Sequence, residues 1–311
     1  MLDKANNELA RYVKQTNGVY TKARYKEIAK KLADVSKKLK QKVESGTDID
    51  GLIEYELKKQ KKLLDAVSKD IKSVKGGKFN FLYPTVEQIK TSALFKPVDV
   101  KTGMTYETYL NGIENGLYNL WDAQIRTGYL TGMTTDQIVR NVMGGISQEA
   151  KITHANAMQS LRNSVYGNTR TVLQSFATET RNRVFEENED YFGDGETKYK
   201  YEYLATLDAR TCLVCGNLDG KLFKKIEDAP SLPQHRGCRC LLIPYFAIEG
   251  DKRANKDGYL DDKTDFETWL RDQDEETQKD VLGASRYAMF KKGKKLEQFI
   301  DDGRVLRLDE L

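Results

Sequence analysis

The chain has 311 residues, of which 39% are hydrophobic and 32% charged, with 51 Lys+Arg against 47 Asp+Glu. That length accommodates two or three domains with a sizeable core. Scarce Pro, only five, and a charged fraction above the usual quarter exclude an all-β or disordered chain in favour of long solvated helices. No run approaches the 18 or so apolar residues that span a bilayer. Met1 to Asn7 contain no apolar stretch of the secretory type. The expected setting is therefore a reducing cytoplasm, where thiols meet metals more often than disulfides. The net charge of +4 is unevenly spread: residues 1–78 hold 20 Lys+Arg against 11 Asp+Glu. A basic arm on a near-neutral body suits nucleic acid or an acidic surface, with a merely solvated helical face as the alternative.

In chain order, the first clear element is a helix over 19–45, where Ile28, Leu32, Val35, Leu39 and Val43 make one apolar stripe. Ser45-Gly46-Thr47-Asp48 breaks it. A second helix over 50–75 carries Ile53, Leu57, Leu64, Val67, Ile71 and Val74. The short linker predicts an antiparallel hairpin over 1–78 that ends at a candidate hinge, Gly76-Gly77. Residues 79–104, with two Pro, read as an extended connection. Helical spacing resumes over 105–127. Thr134 to Gln137 opens a short helix with a capping box, and it stops at Gly144-Gly145. Ser147 caps the next helix, and another covers 169–188. His154 stands in this region with no second ligand at helical spacing, so it is expected to be an ordinary helical residue. From Lys198 the pattern alternates through Tyr199, Tyr201 and Tyr203, which predicts a strand. Leu241 to Tyr245 predicts a second, which Pro244 confines to an edge or an end. Short helices are expected over 251–311. The fold class is mainly α, with long helices and a small zinc-stapled β element near 198–245. The module as a whole would be a core over 105–250 completed by 251–311.

All four Cys and one of the two His fall within 212–240, as Cys212-x2-Cys215, then His235-x2-Cys238-x-Cys240. A C-x2-C turn aims two thiolates at one cation, and His235 with Cys238 repeats the spacing. Five ligands are thus offered where tetrahedral Zn²⁺ takes four. One Cys is spare; Cys215 and His235 are the hardest to replace. Zn is the preferred metal, and Fe at a rubredoxin-like site is the alternative. A disulfide or free-thiol state and a catalytic metal are the competing readings. Catalysis would need an open position and a general base. The zinc deaminase pattern, H-E-x-x-H and G-x-S-x-G are all absent, a nuclease of the HNH type lacks its second His, and Gly216 to Lys221 falls short of a P-loop. No catalytic residue is assigned. Asp208 is expected to pair with Arg210 and fix the knuckle.

These residues resemble a known family. Asp-x-Arg-Thr-Cys-x-x-Cys at 208–215, Leu-Asp-Gly-Lys at 218–221 and His-x-x-Cys-Arg-Cys at 235–240 are similar to the signature of phage minor head proteins, the head morphogenesis family typified by protein F of phage Mu. Thr178 to Arg181 with Phe185 to Asn188 fit it too. So does a tail of Trp269-Leu270, Gln273, Val281 to Gly283, Arg286 and Gly293-Lys294. The likeness covers about 105–311. It implies a non-enzymatic, low-copy capsid component of a bacteriophage virion, placed inside the head near the portal protein and assembled in the host cytoplasm. It further implies a part in head morphogenesis and in DNA ejection; the basic residues of 1–78, which the likeness does not reach, are expected from their charge to touch packaged DNA or the portal. The other readings are a zinc-knuckle DNA-binding protein and a zinc-dependent nuclease or hydrolase.

Overall fold

The structure, a computed structural model, describes residues 1–15, 22–75, 79–100, 102–143, 148–193, 198–245, 252–255, 258–261 and 264–311. The pairs Gly76-Gly77 and Gly144-Gly145, the cap Ser147 and the side chain of His154 lie outside the described residues. The chain is mainly helical. In order it forms α1 (Leu2–Gln15), α2 (Lys22–Gly46), α3 (Ile49–Lys75), α4 (Val86–Phe95), α5 (Tyr106–Leu130), α6 (Thr135–Val142) and α7 (Gln148–Glu187). There follow β1 (Tyr201–Leu204), α8 (Leu213–Leu218), β2 (Leu222–Phe223), β3 (Leu241–Pro244), β4 (Lys252–Asn255) and β5 (Gly258–Asp261). The chain ends with α9 (Phe266–Arg271), α10 (Glu275–Lys291), β6 (Ile300–Asp301) and β7 (Arg304–Val305). It divides into two compact units: one holds 1–49, 94–97 and 104–172, the other 50–93, 98–103 and 173–311.

The first unit is built on α2. Its stripe of Ile28, Leu32, Val35 and Leu39 is buried against α5 and α1. On α5 the buried row is Tyr109, Leu110, Ile113, Leu117, Trp121 and Ile125. Helix α1, not expected from the sequence, buries Leu9, Ala10 and Val13, and its Asn6 Oδ1 accepts a 2.8 Å bond from the Trp121 indole. Tyr25 on α2 donates to Asp122 on α5 at 2.6 Å, and burial followed by that bond pushes its hydroxyl up to about 12. The expected capping box of α6 is present: the Thr134 amide donates to Gln137 Oε1 at 2.8 Å, and the Gln137 amide to Thr134 Oγ1 at 3.2 Å. Where two helices were expected, α7 is one continuous helix of 40 residues. It runs on through Gly167-Asn168, where Tyr109 on α5 and Thr169 meet at 2.6 Å.

In the second unit α3 buries Ile53 and Leu64, with two polar residues, Glu56 and Gln60, on the same face. The α2 and α3 stripes, read as one hairpin arm, are therefore buried in different units. Glu56 takes a 3.0 Å bond from Arg181 on α7 and a 2.8 Å bond from Gln60. Residues 79–104, read as an extended connection, in fact contain α4. Thr85 caps it, exchanging hydrogen bonds with Gln88, and the flanking Pro84 and Pro97 made the segment look extended. Ser92 on α4 donates to Glu179 at 2.5 Å, and Arg183 reaches both. Asn188, fully buried at the end of α7, bonds the Leu82 amide at 2.8 Å and the Leu82 carbonyl at 2.7 Å.

The sheet order is β2-β1-β3, all antiparallel, with Tyr203 opposite Leu242. As expected, β3 is an edge strand and Pro244 its last residue. Tyr201 and Tyr203 point to the same side and are fully buried. Residues beyond 250, expected as short helices only, also include the β4–β5 hairpin, whose charged sequence has no apolar alternation to announce strands. Helix α9, the two arms of α10 on either side of its kink at Gly283, and β6–β7 enclose a further core of Phe266, Trp269, Leu270, Phe290, Leu296 and Phe299.

The Glu56–Arg181 pair is buried on both sides, and burial lowers the Arg181 pKa against the pull of Glu56. Removing one partner strands a charge. Glu56→Ala is expected to cost about 3–5 kcal/mol in urea unfolding, whereas the double variant Glu56→Met, Arg181→Met lies closer to wild type.

Candidate metal centre

The turn after β1 places the first two thiols. Thr211 Oγ1 donates to the Thr206 carbonyl, and Cys212 becomes the N-cap of α8, its sulfur accepting the Cys215 amide at 3.4 Å. Cys215 follows one turn later and is buried. Gly216 is required beside it, since a Cβ there would collide with the Phe266 ring. The Leu218 to Lys221 motif closes the turn back on the strand. Asp219 Oδ1 accepts the Ala205 amide at 2.6 Å, and the Gly220 amide donates to the Tyr203 carbonyl at 2.9 Å. On the far side, the Cys238 amide donates to the His235 carbonyl at 3.0 Å across a tight turn that passes through Gly237 at φ +76°. Cys240 immediately precedes β3.

All five expected ligands converge. The ligand atoms of Cys212, Cys215 and His235 lie within 4.8 Å of one another, and so do those of Cys215, Cys238 and Cys240. Cys215 belongs to both sets. The imidazole Nε2 stands 3.3 Å from the Cys212 sulfur and 3.5 Å from that of Cys215. Its Nδ1 is 3.0 Å from the Arg236 carbonyl, the arrangement that fixes the tautomer and turns Nε2 toward a metal. Cys215, Cys238 and Cys240 are part of the same buried cluster as Tyr201, Tyr203, Phe185 and Phe192.

Without a cation the group sorts its own protons. The bond to Cys212 holds His235 up at about 9. Cys212 is pulled down by its bonds to Cys215 and His235, and Cys238 by its bonds to Cys215 and Cys240. Cys215, hemmed in by three other thiols, is pushed far up. A bound cation deprotonates coordinating thiols outright, which removes this crowding of sulfurs around one proton. Soft donors, an oriented imidazole and backbone N–H bonds to sulfur together fit such an ion: the cluster can hold a metal.

Two contacts differ from the sequence reading or escape it. Asp208 pairs with Arg210 only loosely, and its closer partner is Arg239. Arg239 grips both carboxylate oxygens, one at 2.6 Å, whereas the Arg210 guanidinium stays 4.0 Å away. Arg239 lies between two ligands and so ties the second knuckle to the first. Arg210 contributes its amide, at 2.9 Å. Tyr203 was unnoticed as a site residue. Its hydroxyl donates to the Cys215 sulfur at 3.6 Å, and strand alternation with Tyr201 was the available signal.

Residues 133–243 match the family model of Phage Mu protein F like protein. That segment is about a third of the chain and includes the whole metal centre and the described part of the α7 block. It is shorter than the expected span of 105–311, and the tail motifs lie beyond it. Comparison with curated proteins and with solved structures gave no match.

Because Cys215 is common to both ligand sets, Cys215→Ser is expected to abolish metal retention, read by native mass spectrometry. Cys238→Ser and Cys240→Ser are expected to retain part of it, since each can stand in for the other. The bond from Arg239 lowers the Asp208 pKa. Its contribution is therefore full above the unfolded value of about 4 and is lost as pH falls through the lower folded value. The urea midpoints of wild type and Asp208→Asn should differ at pH 7 and begin to converge only below about pH 4, as the pH falls toward the lowered folded value.

Proposed function

We propose that this chain is a minor head protein of a bacteriophage, a low-copy virion component placed inside the head near the portal. It acts in head morphogenesis and in the path of DNA during ejection, and it assembles in the host cytoplasm. The match of residues 133–243 to the Phage Mu protein F like family carries this reading. Zn²⁺ is the ion that suits four of Cys212, Cys215, His235, Cys238 and Cys240, and its role is structural. Four protein ligands close the coordination shell, which leaves no seat for a water nucleophile and argues for a protein that turns over no substrate. A three-stranded sheet with a two-residue edge strand has little core of its own, and a metal staple replaces it.

The portal protein is the proposed partner. Purified full-length chain is expected to bind a recombinant portal oligomer in analytical ultracentrifugation. The double variant Cys215→Ser, His235→Ala is expected to expose the amides of 198–245 to hydrogen exchange and to lower the yield of infectious heads. A metal-free double variant with wild-type protection and infectivity would overturn the structural role.

A further inference from the structure

The lysines of α2 fall into two groups. Lys31 is held by Glu8 on α1 at 2.9 Å, Lys38 by Asp34 at 2.9 Å, and Lys40 by Asn111 on α5 at 2.6 Å. Lys26, Lys30 and Lys37, like Lys42 on the flank, are exposed and make no hydrogen bond or ion pair among the described residues, although the charge of Lys37 is felt by Asp34. At about 100° per residue, these three fall within roughly 40° of one another, on the side opposite the buried stripe. Ala33 lies between them on the same row. Glu27 and Asp34 are rotated toward the flank, and Lys38 neutralises Asp34. The outer face of α2 is therefore a straight row of three exposed cations about 16 Å long.

We propose that this row is a contact site for the phosphate backbone of double-stranded DNA. The inference deepens the reading given above and rests on it. One strand of B-form DNA places a phosphate every 3.4 Å of axis, so the row spans about five phosphates. An acidic protein surface is the poorer fit. Protein interfaces need buried aromatic or aliphatic anchors, and none of the exposed large apolar residues lies on α2. Contacts confined to phosphates give binding without sequence preference.

The test uses the full chain and a 30-base-pair duplex of arbitrary sequence, with affinity measured against salt. Three lost phosphate contacts at about 0.9 each predict that Lys26→Gln, Lys30→Gln, Lys37→Gln reduces the log–log salt slope by about 2.7. Gln keeps the helix propensity, and circular dichroism checks the fold. The comparison triple, Lys58→Gln, Lys62→Gln, Lys224→Gln, removes the same charge from exposed lysines of the second unit and is expected to leave the slope unchanged. An unchanged slope in the α2 triple, an equal loss in the comparison triple, or no binding by wild type at 50 mM salt overturns the proposal. Portal binding, measured separately, tells failure of this inference from failure of the minor head reading.

Discussion

Cys215 has the His235 imidazole 3.5 Å away and shares its surroundings with three other thiols, inside a cluster that also holds Tyr201, Phe185 and Phe192. Five groups able to carry charge are thus gathered, and water is largely excluded from three of them, Cys215, Cys238 and Cys240. Burying one unpaired charge is expensive, and burying several like charges together is worse. A divalent cation resolves the conflict, because each thiolate then faces the ion instead of its neighbour. The rest of the knuckle serves this convergence. Asp219 and Gly220 fold the first turn back on β1, Arg239 and Asp208 lock the two turns together, and the Arg236 carbonyl aims the imidazole.

The other family block has an equally physical explanation. Thr178, Glu179, Thr180, Arg181 and Asn188 are all buried, on a helix whose polar residues would ordinarily face water. Each has a partner. Arg181 bonds Glu56 of α3 and Thr178, Glu179 bonds Ser92 of α4, and Asn188 pins Leu82. These contacts fix the lateral position of segments that apolar packing alone leaves free to slide. A catalytic reading of Glu179 or Arg181 is unnecessary, since their hydrogen-bonding capacity goes into holding α3 and α4.

The long helices were legible because their stripes repeat over many turns, as on α2 and α5. The Cys/His cluster was legible because Cys and His are rare here, and their gathering between an aromatic-rich strand and an aliphatic one is hard to produce by chance. What escaped had weaker local signals. Helix α1 spans only 14 residues, so its stripe of Leu9, Ala10 and Val13 repeats over few turns, and only the Trp121 contact explains the choice of Asn6. Helix α4 was hidden by its flanking prolines. The Asp208–Arg239 pair joins residues 31 apart, and no local rule selects it over Arg210, two positions away. The division of α2 from α3 follows from which neighbours each stripe meets, and that is a tertiary property.

The two units also treat positive charge differently. In the second, Arg181, Arg183 and Arg239 are engaged by acids of the same unit, so their charge is consumed internally. In the first, lysines on the flanks of α2 are neutralised by Glu8, Asp34 and Glu114, and the outer row is left without an ion pair. A helix that needed solubility alone would gain from alternating signs along that face, which add i, i+4 pairing and reduce self-repulsion. Lys26, Lys30 and Lys37 make no ion pair with the nearby Glu27 and Asp34, which forgoes part of that pairing. The cost is offset when a polyanion supplies the missing counter-charge, because the released counterions then favour binding. The excess of basic residues at the start of the chain thus resolves into one helix face, selected by which lysines the fold has not already used.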